Sequence, residues 1–376
     1  MDFVDLKRQY CLIKEDVDKA ILAVLNKANF ILGEEVSVLE EKLAEYVGVK
    51  HCITCANGTD ALTLALKTLG VEKGDAVFVP SFTYFASGEV IPLVGATPVF
   101  VDVKTDTFNI CESSLKAEIE KVIQKGLLKP KAIISVDLFG QCADYNAIEK
   151  LAKKYNLKIV EDSAQGFGGS INGKRACSFG DIATTSFYPA KPLGCYGDGG
   201  ACFTNNPEYA EILKSLRYHG IGKDNDRYDN VRLGYNSRLD TIQAAVLDVK
   251  LDRFRDFELK RRNEIAEIYN EQLGKFVTTP TLPEGFESSY AAYTIQTEKR
   301  DKLREHLQKS GVPTMVYYPK GLHRQKGLEN FALGRLKNTE ELEKTVLSLP
   351  VHPYLEDKEV EFITKKTGEF FEKEKQ

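Results

Sequence analysis

Ile182-Ala183-Thr184-Thr185-Ser186-Phe187-Tyr188-Pro189-Ala190-Lys191-Pro192-Leu193-Gly194, running on to Gly197-Asp198-Gly199-Gly200, decides how the chain is read. Ile182 to Phe187 is a β-branched run of the kind that forms a buried strand, and the closing glycines suit a tight backbone path. Between two prolines sits one lysine, Lys191, with apolar and small residues around it. Apolar walls strip water from an ammonium group, lower its pKa and free the amine to act as a nucleophile. Such an amine can form a Schiff base with an aldehyde cofactor.

Working outward, short apolar runs stand at His51–Cys55, Ala76–Pro80, Pro98–Val101, Lys131–Val136, Lys158–Glu161, Ile182–Phe187 and Ala201–Thr204. Helical patterns such as Ala61–Leu69 and Ala147–Tyr155 fall between most of them. Two more, Gln9–Leu25 and Glu35–Tyr46, precede the first run. This alternation predicts an α/β domain built on a mostly parallel seven-stranded sheet with helices on both faces. A helix is expected from Ser237 onward, with Ser237 and Asp240 as a capping box. After the proline-bearing segment 278–285, the patterns Tyr290–Thr297 and Asp301–Ser310 predict a smaller α+β domain. The division expected is 1–245 for the large domain with its N-terminal helices and 246–376 for the C-terminal one.

At 376 residues, 43% of them hydrophobic, the chain has ample apolar material for one large core and a smaller one. A net charge of −4 gives no electrostatic reason to expect nucleic acid. The start of the chain lacks the apolar core of a signal peptide, and no run is long enough to span a bilayer. Eight cysteines without regular spacing read as reduced thiols of a cytoplasmic protein. Cys52 and Cys55 have a C-x-x-C spacing, but on a strand they point to opposite faces, and the five histidines show no ligand spacing, so no metal site is expected. The glycines at 194–200 precede a strand rather than open a helix, which argues against a dinucleotide fingerprint. Lys260-Arg261-Arg262 reads as a solvated helix face.

Ligands of open α/β sheets bind beyond the carboxyl ends of the strands. There the first strand delivers Asn57-Gly58-Thr59-Asp60 to a helix N-terminus, a natural phosphate site. The second strand is followed by Ser81-Phe82-Thr83-Tyr84, and the fifth ends in Glu161-Asp162-Ser163-Ala164-Gln165. Each has an ordinary structural reading: a capped turn, a core aromatic, a salt-bridged carboxylate. Together with Ser186 and Lys191 they describe a pyridoxal 5′-phosphate pocket, in which a carboxylate keeps the pyridine nitrogen protonated.

These motifs, with Gly197-Asp198-Gly199-Gly200 and Gly234-Tyr235-Asn236-Ser237-Arg238-Leu239, resemble the DegT/DnrJ/EryC1/StrS sugar-aminotransferase family, fold-type I pyridoxal-phosphate enzymes, over nearly the whole chain. The resemblance implies that Lys191 carries the cofactor, Asp162 faces its pyridine nitrogen, Gln165 bonds its phenolic oxygen and Tyr84 stacks on its ring. It further implies that Gly58, Thr59 and Ser186 hold the phosphate, joined by Asn236 from a neighbouring subunit across the loop Arg217–Arg238. A homodimer with shared active sites follows from that. The implied reaction passes an amino group from L-glutamate to a nucleotide-linked keto sugar for surface polysaccharide or glycan synthesis. Lys191 would act first as carrier and then as general acid/base.

Cys142-Ala143-Asp144, Lys191-Pro192-Leu193-Gly194-Cys195-Tyr196 and Asn236-Ser237-Arg238-Leu239-Asp240 resemble the branch that aminates C3 of UDP-linked 3-keto uronic sugars. Enzymes acting on dTDP-linked 3-keto-6-deoxyhexoses are nearly as similar. Amination at C4 of a 4-keto-6-deoxy sugar and a pyridoxal-phosphate sugar dehydratase are the alternatives; the dehydratases carry histidine where this chain has Lys191. Where many relatives read His-Tyr-Pro, this chain has Tyr317-Tyr318-Pro319, then Lys320 and His323. Arg238, Tyr317, Lys320 and His323 are the substrate-side candidates, Arg238 or Lys320 for a sugar carboxylate.

Overall fold

The computed structural model describes residues 1–222, 228–332 and 334–374. Two helices open the chain, α1 (Leu6–Lys27) and α2 (Glu34–Val47). Asp5 caps α1 by accepting from the Arg8 N–H at 2.7 Å. An alternating run follows: β1 (His51–Cys55), α3 (Gly58–Thr68), β2 (Asp75–Pro80), α4 (Ala86–Leu93), β3 (Thr97–Val101), α5 (Glu112–Lys125), β4 (Lys129–Val136), α6 (Tyr145–Tyr155), β5 (Lys158–Asp162), β6 (Ile182–Ser186), β7 (Gly200–Thr204) and α7 (Pro207–Leu216). All seven expected strands form, each bounded within two residues of its apolar run.

They make one sheet in the order β1-β7-β6-β5-β4-β2-β3. Only β7 runs against its neighbours, with Gly200 opposite both Cys55 of β1 and Ser186 of β6. The other six therefore end along one edge of the sheet. Period-two side-chain direction divides their residues between two cores. In β2, Val77 and Val79 join the cluster of α3, α4 and α7, whereas Ala76 and Phe78 join that of α5 and α6. Cys52 and Cys55 likewise enter different clusters.

Beyond Asn236, α8 (Thr241–Arg253) packs on α1 and α2, and α9 (Leu259–Leu273) follows after a π-helical turn at Phe254–Glu258. α8 runs through residue 245 without a break, and its Leu247 and Leu251 share a core with Leu39 and Leu43 of α2. The C-terminal part pairs β8 (Tyr293–Gln296) antiparallel with β9 (Val346–Leu349). α10 (Arg300–Lys309), α11 (Lys337–Thr345) and α12 (Asp357–Lys373) accompany them. Tyr269, Tyr293, Leu303, Leu349 and Ile363 anchor a separate core there. No described helix is long and apolar enough to cross a membrane.

Two expectations are corrected. The capping box at Ser237 and Asp240 does not form: α8 starts at Thr241, and the Asp240 side chain makes no capping bond. The Ser237 hydroxyl instead donates to Asp60 Oδ2 at 2.6 Å and accepts from the Ala56 N–H at 3.2 Å, which ties residue 237 to the β1–α3 turn. Nor is Lys260-Arg261-Arg262 a solvated face. Lys260 is exposed, but Arg262 is buried and donates to the Tyr290 carbonyl at 3.1 Å, and Arg261 pairs with Asp357 at 2.6 Å.

Of the expected loop Arg217–Arg238, residues 223–227 lie outside the described residues. Its first residue, Arg217, is buried; NH1 binds the Glu40 carboxylate and donates to the Thr54 carbonyl at 2.8 Å. Glu40 in turn accepts from the Thr54 N–H and hydroxyl at 2.8 and 2.7 Å. Removing the guanidinium leaves an uncompensated carboxylate, so Arg217→Ala is expected to lower stability by about 3–5 kcal/mol in urea titrations. A loss below about 1 kcal/mol, the scale of an exposed pair, would show that this triad does not anchor the loop.

Candidate active site

β1 ends beside the N-terminus of α3. Asn57, in extended backbone, caps the helix by accepting from the Asp60 N–H at 2.8 Å. The first-turn amides of Gly58 and Thr59 have no intrahelical acceptor and point outward with the helix dipole behind them. A Cβ on Gly58 would lie 2.7 Å from Ser186 Cβ, so glycine here brings this turn against the end of β6. Gly58, Thr59 and Ser186 thus form one cradle with the donor chemistry of a phosphate site.

Asp162 ends β5 and is only 4% exposed. Its Oδ2 accepts from Ser87 Oγ on α4 at 2.7 Å, and Oδ1 accepts a longer bond from the Ala164 N–H, at 3.3 Å. No cation pairs with it among the described residues. Burial raises its pKa, opposed by the Ser87 and Ala164 bonds and by the charge of Lys191. Strand alternation sends the adjacent Glu161 to the opposite face, where it accepts from the Cys177 and Phe179 N–H groups at 2.6 and 2.7 Å. Burial and the neighbouring Asp137 hold Glu161 well above the usual carboxylate range.

Lys191 lies on the loop after β6, its N–H bonded to the Tyr188 carbonyl at 2.8 Å. Its amine makes no hydrogen bond or ion pair among the described residues. Burial lowers its pKa and Asp162 partly restores it. Gln165 is turned by its backbone contact: Oε1 accepts from the Phe139 N–H at 3.0 Å, so the amide nitrogen faces the other way and donates to the Tyr318 hydroxyl at 3.2 Å. Tyr84 is 58% exposed, and its ring centroid lies 6.4 Å from that of Tyr318. An amine, a carboxylate, an amide donor, an aromatic face and an anion cradle thus converge on one edge of the sheet. An unpaired buried carboxylate beside an unpaired amine fits a cofactor that brings both an aldehyde and a basic ring nitrogen.

The remaining candidates are placed less uniformly. Asn236 and Arg238 bind each other on the exposed segment after 228, and the Arg238 guanidinium lies 4.7 Å from the Tyr218 ring centroid. Neither bonds to Lys191, Asp162 or Ser186 of its own chain. Tyr317 is half-buried, edge-on to Phe3 at 6.1 Å, and Lys320 forms no ion pair among the described residues.

His323 is corrected. It is 5% exposed, its Nδ1 lies 2.7 Å from Ser81 Oγ, and its N–H donates to that oxygen at 3.2 Å. It braces the end of β2 instead of facing a ligand, because the 3-10 turn Leu322–Arg324 folds under Ser81. Two site residues were not singled out from the sequence. Tyr318 follows Tyr317 in the same Tyr-Tyr-Pro run with nothing local to set it apart, and Ser87 carries no signal beyond its place one turn after Thr83.

A sequence profile of the DegT/DnrJ/EryC1/StrS aminotransferase family matches residues 12–367. The UDP-2-acetamido-2-deoxy-3-oxo-D-glucuronate aminotransferase of Pseudomonas aeruginosa is 43% identical, across 96% of this chain and 98% of its own. A crystal structure of a DegT DnrJ EryC1 StrS aminotransferase from Brucella abortus superposes with a TM-score of 0.96 at 49% identity, covering 99% of both chains. The pyridoxal-phosphate form of a putative sugar aminotransferase from Streptococcus pneumoniae gives 0.87 at 28% identity, covering 96% of both.

Ser87 supplies the shortest bond to Asp162, and that bond favours the ionised carboxylate. Ser87→Ala should therefore raise the Asp162 pKa further and move the acid limb of pyridoxal 5′-phosphate binding to higher pH. Absorbance titrations of binding across pH 4–8 would reveal the shift, and an unmoved limb would refute the role given to Ser87.

Proposed function

The chain belongs to the DegT/DnrJ/EryC1/StrS aminotransferase family, and from that premise we propose that it transfers the amino group of L-glutamate to the C3 ketone of a UDP-linked sugar. The observation that carries the chemistry is the partly buried, unpaired Lys191 amine beside the buried Asp162 carboxylate, next to the Gly58–Ser186 cradle. The family's cofactor, pyridoxal 5′-phosphate, supplies an aldehyde for amines to condense with and a ring that draws off electrons while its nitrogen stays protonated.

Each residue then has a task. The amides of Gly58 and Thr59 and the Ser186 hydroxyl bind the phosphate. Asp162, steadied by Ser87, keeps the pyridine nitrogen protonated. The Gln165 amide nitrogen donates to the phenolic oxygen, and Tyr84 covers one ring face and excludes water. Lys191 Nζ holds the cofactor between turnovers and, once displaced, moves the proton between the substrate carbon and the cofactor. Arg238 or Lys320 meets the acceptor's carboxylate, with Tyr317 beside it.

The same reading makes the working unit a homodimer, with Asn236 donating to the phosphate in the partner's site. Support comes from Leu233 and Val231, 97% and 54% exposed on a segment whose roots are fastened to the β1 turn. Eight free thiols suit a reducing cytoplasm, where the product would feed glycan synthesis.

Assays with glutamate and UDP-linked 3-keto sugars should give a product with nitrogen at C3 by NMR; nitrogen at C4 overturns the regiochemistry. Lys191→Ala should abolish steady turnover together with borohydride-fixed cofactor on the protein. Mixing Lys191→Ala subunits with subunits crippled at Asn236 should restore activity, since one pocket of the mixed dimer is intact. If exchanged subunits stay at the background of their parents, the pocket is not shared.

A further inference from the structure

α8 carries a lysine that none of the motifs marks. Lys250 is 2% exposed, and lysine is almost never that buried without a partner. Its Nζ donates to the carbonyl oxygen of Gly194 and lies 5.0 Å from the centroid of the Tyr196 ring. No carboxylate forms an ion pair with it among the described residues. Glu258, the last residue of the π-helical turn, attracts it from farther off while accepting from Gln9 Nε2 at 3.1 Å and from the Tyr354 hydroxyl. Burial lowers the Lys250 pKa to about 8 against that attraction, so the group is still a charged donor at neutral pH.

Gly194 closes the loop that presents Lys191. The chain reverses tightly there: the Lys191 N–H bonds the Tyr188 carbonyl and the Cys195 N–H bonds the Phe187 carbonyl, both at 2.8 Å. A Cβ at position 194 would stand 2.5 Å from the Pro189 carbonyl oxygen. Pro189 and Pro192 restrict the backbone on either side of Lys191. The Gly194 carbonyl takes no backbone donor among the described residues, and Lys250 fills it from the neighbouring helix. A buried cation is a costly way to satisfy packing alone, since an apolar side chain of similar size does that as well. A charge-assisted bond, in contrast, is short, strong and directional.

We propose that Lys250 is a positioning residue for Lys191, clamping Gly194 so that the loop holds the amine at a fixed place and angle. This rests on the reading of Lys191 as the cofactor-bearing amine. The full-length chain with Lys250→Met, which keeps length and loses the donor, and with Lys250→Gln, which keeps an N–H, separates clamping from mere stability. The readouts are the rate at which Lys191 captures added pyridoxal 5′-phosphate, followed by absorbance and by borohydride trapping with peptide mapping, then kcat, KM and the melting temperature.

Lys250→Met should slow capture and lower kcat at least tenfold with KM for glutamate within threefold, and Lys250→Gln should recover part of both. If both variants fold and keep capture and kcat within twofold of the parent, the inference is overturned. Should Lys250→Met fail to fold, Lys250→Gln decides alone: capture slowed threefold or more supports the clamp, and any smaller effect overturns it. Cofactor trapped on a lysine other than Lys191 in the parent overturns the reading of Lys191 itself, and the clamp with it.

Discussion

The Asp162 carboxylate and the Lys191 amine lie within each other's field in this protein without closing on each other, and the site depends on that restraint. Buried opposite charges gain most when they meet, and a Lys191–Asp162 pair would leave neither group available. The fold prevents it from both sides. Asp162 has its oxygens engaged by Ser87 and the Ala164 N–H, while Lys191 rides a loop closed by its own backbone and held at Gly194. The gap that remains has the chemistry of a third body: an aldehyde on one side and a basic nitrogen on the other.

The parallel sheet makes this arrangement possible. Strands that all end on one edge can each contribute a single residue type to a common rim, and residues distant in sequence become neighbours. β7 runs the other way and has a separate use. Its Gly200 stands between Cys55 and Ser186, and a Cβ there would lie 2.5 Å from the Asn57 carbonyl carbon, so the Asn57–Asp60 turn and the end of β6 are drawn together across it. Both roots of the 217–238 segment return to the same corner, Arg217 through Glu40 and Thr54, Ser237 through Asp60 and Ala56. A segment exposed along residues 228–233 is thus fastened to the turn at the N-terminus of α3.

Much of this was legible in the sequence because apolar runs and turn residues act locally. The strand bounds, the capped turn at Asn57 and the free amine of Lys191 all follow from side chains within a few positions of one another. Ser237 was misread for the opposite reason. Its local pattern is that of a capping box, and only the fold reveals Asp60 as a competing acceptor. His323 looked like a ligand-facing imidazole because its burial is decided by Ser81, more than two hundred residues earlier. Ser87 and Lys250 had no local signature, since each works through a single bond to a distant chain segment. The direction of β7 was equally hidden, because a strand buried on both faces reads the same in either sense.

That reversed strand also orders events in time. Within the sheet β1 lies at an edge and has β7 as its sole neighbour, and the paired Cys55 and Gly200 are about 145 residues apart. At roughly 5–20 residues per second, the ribosome needs about 7 to 30 seconds to deliver the second after the first. β6 and β7, by contrast, are separated only by residues 187–199, so the pairing around Lys191 can close soon after it emerges. The chain therefore forms the Lys191 loop locally and seats the Gly58–Ser186 contact late. An apolar edge strand waits unpaired in the interval, and that interval is where a nascent chain is most exposed to misassociation.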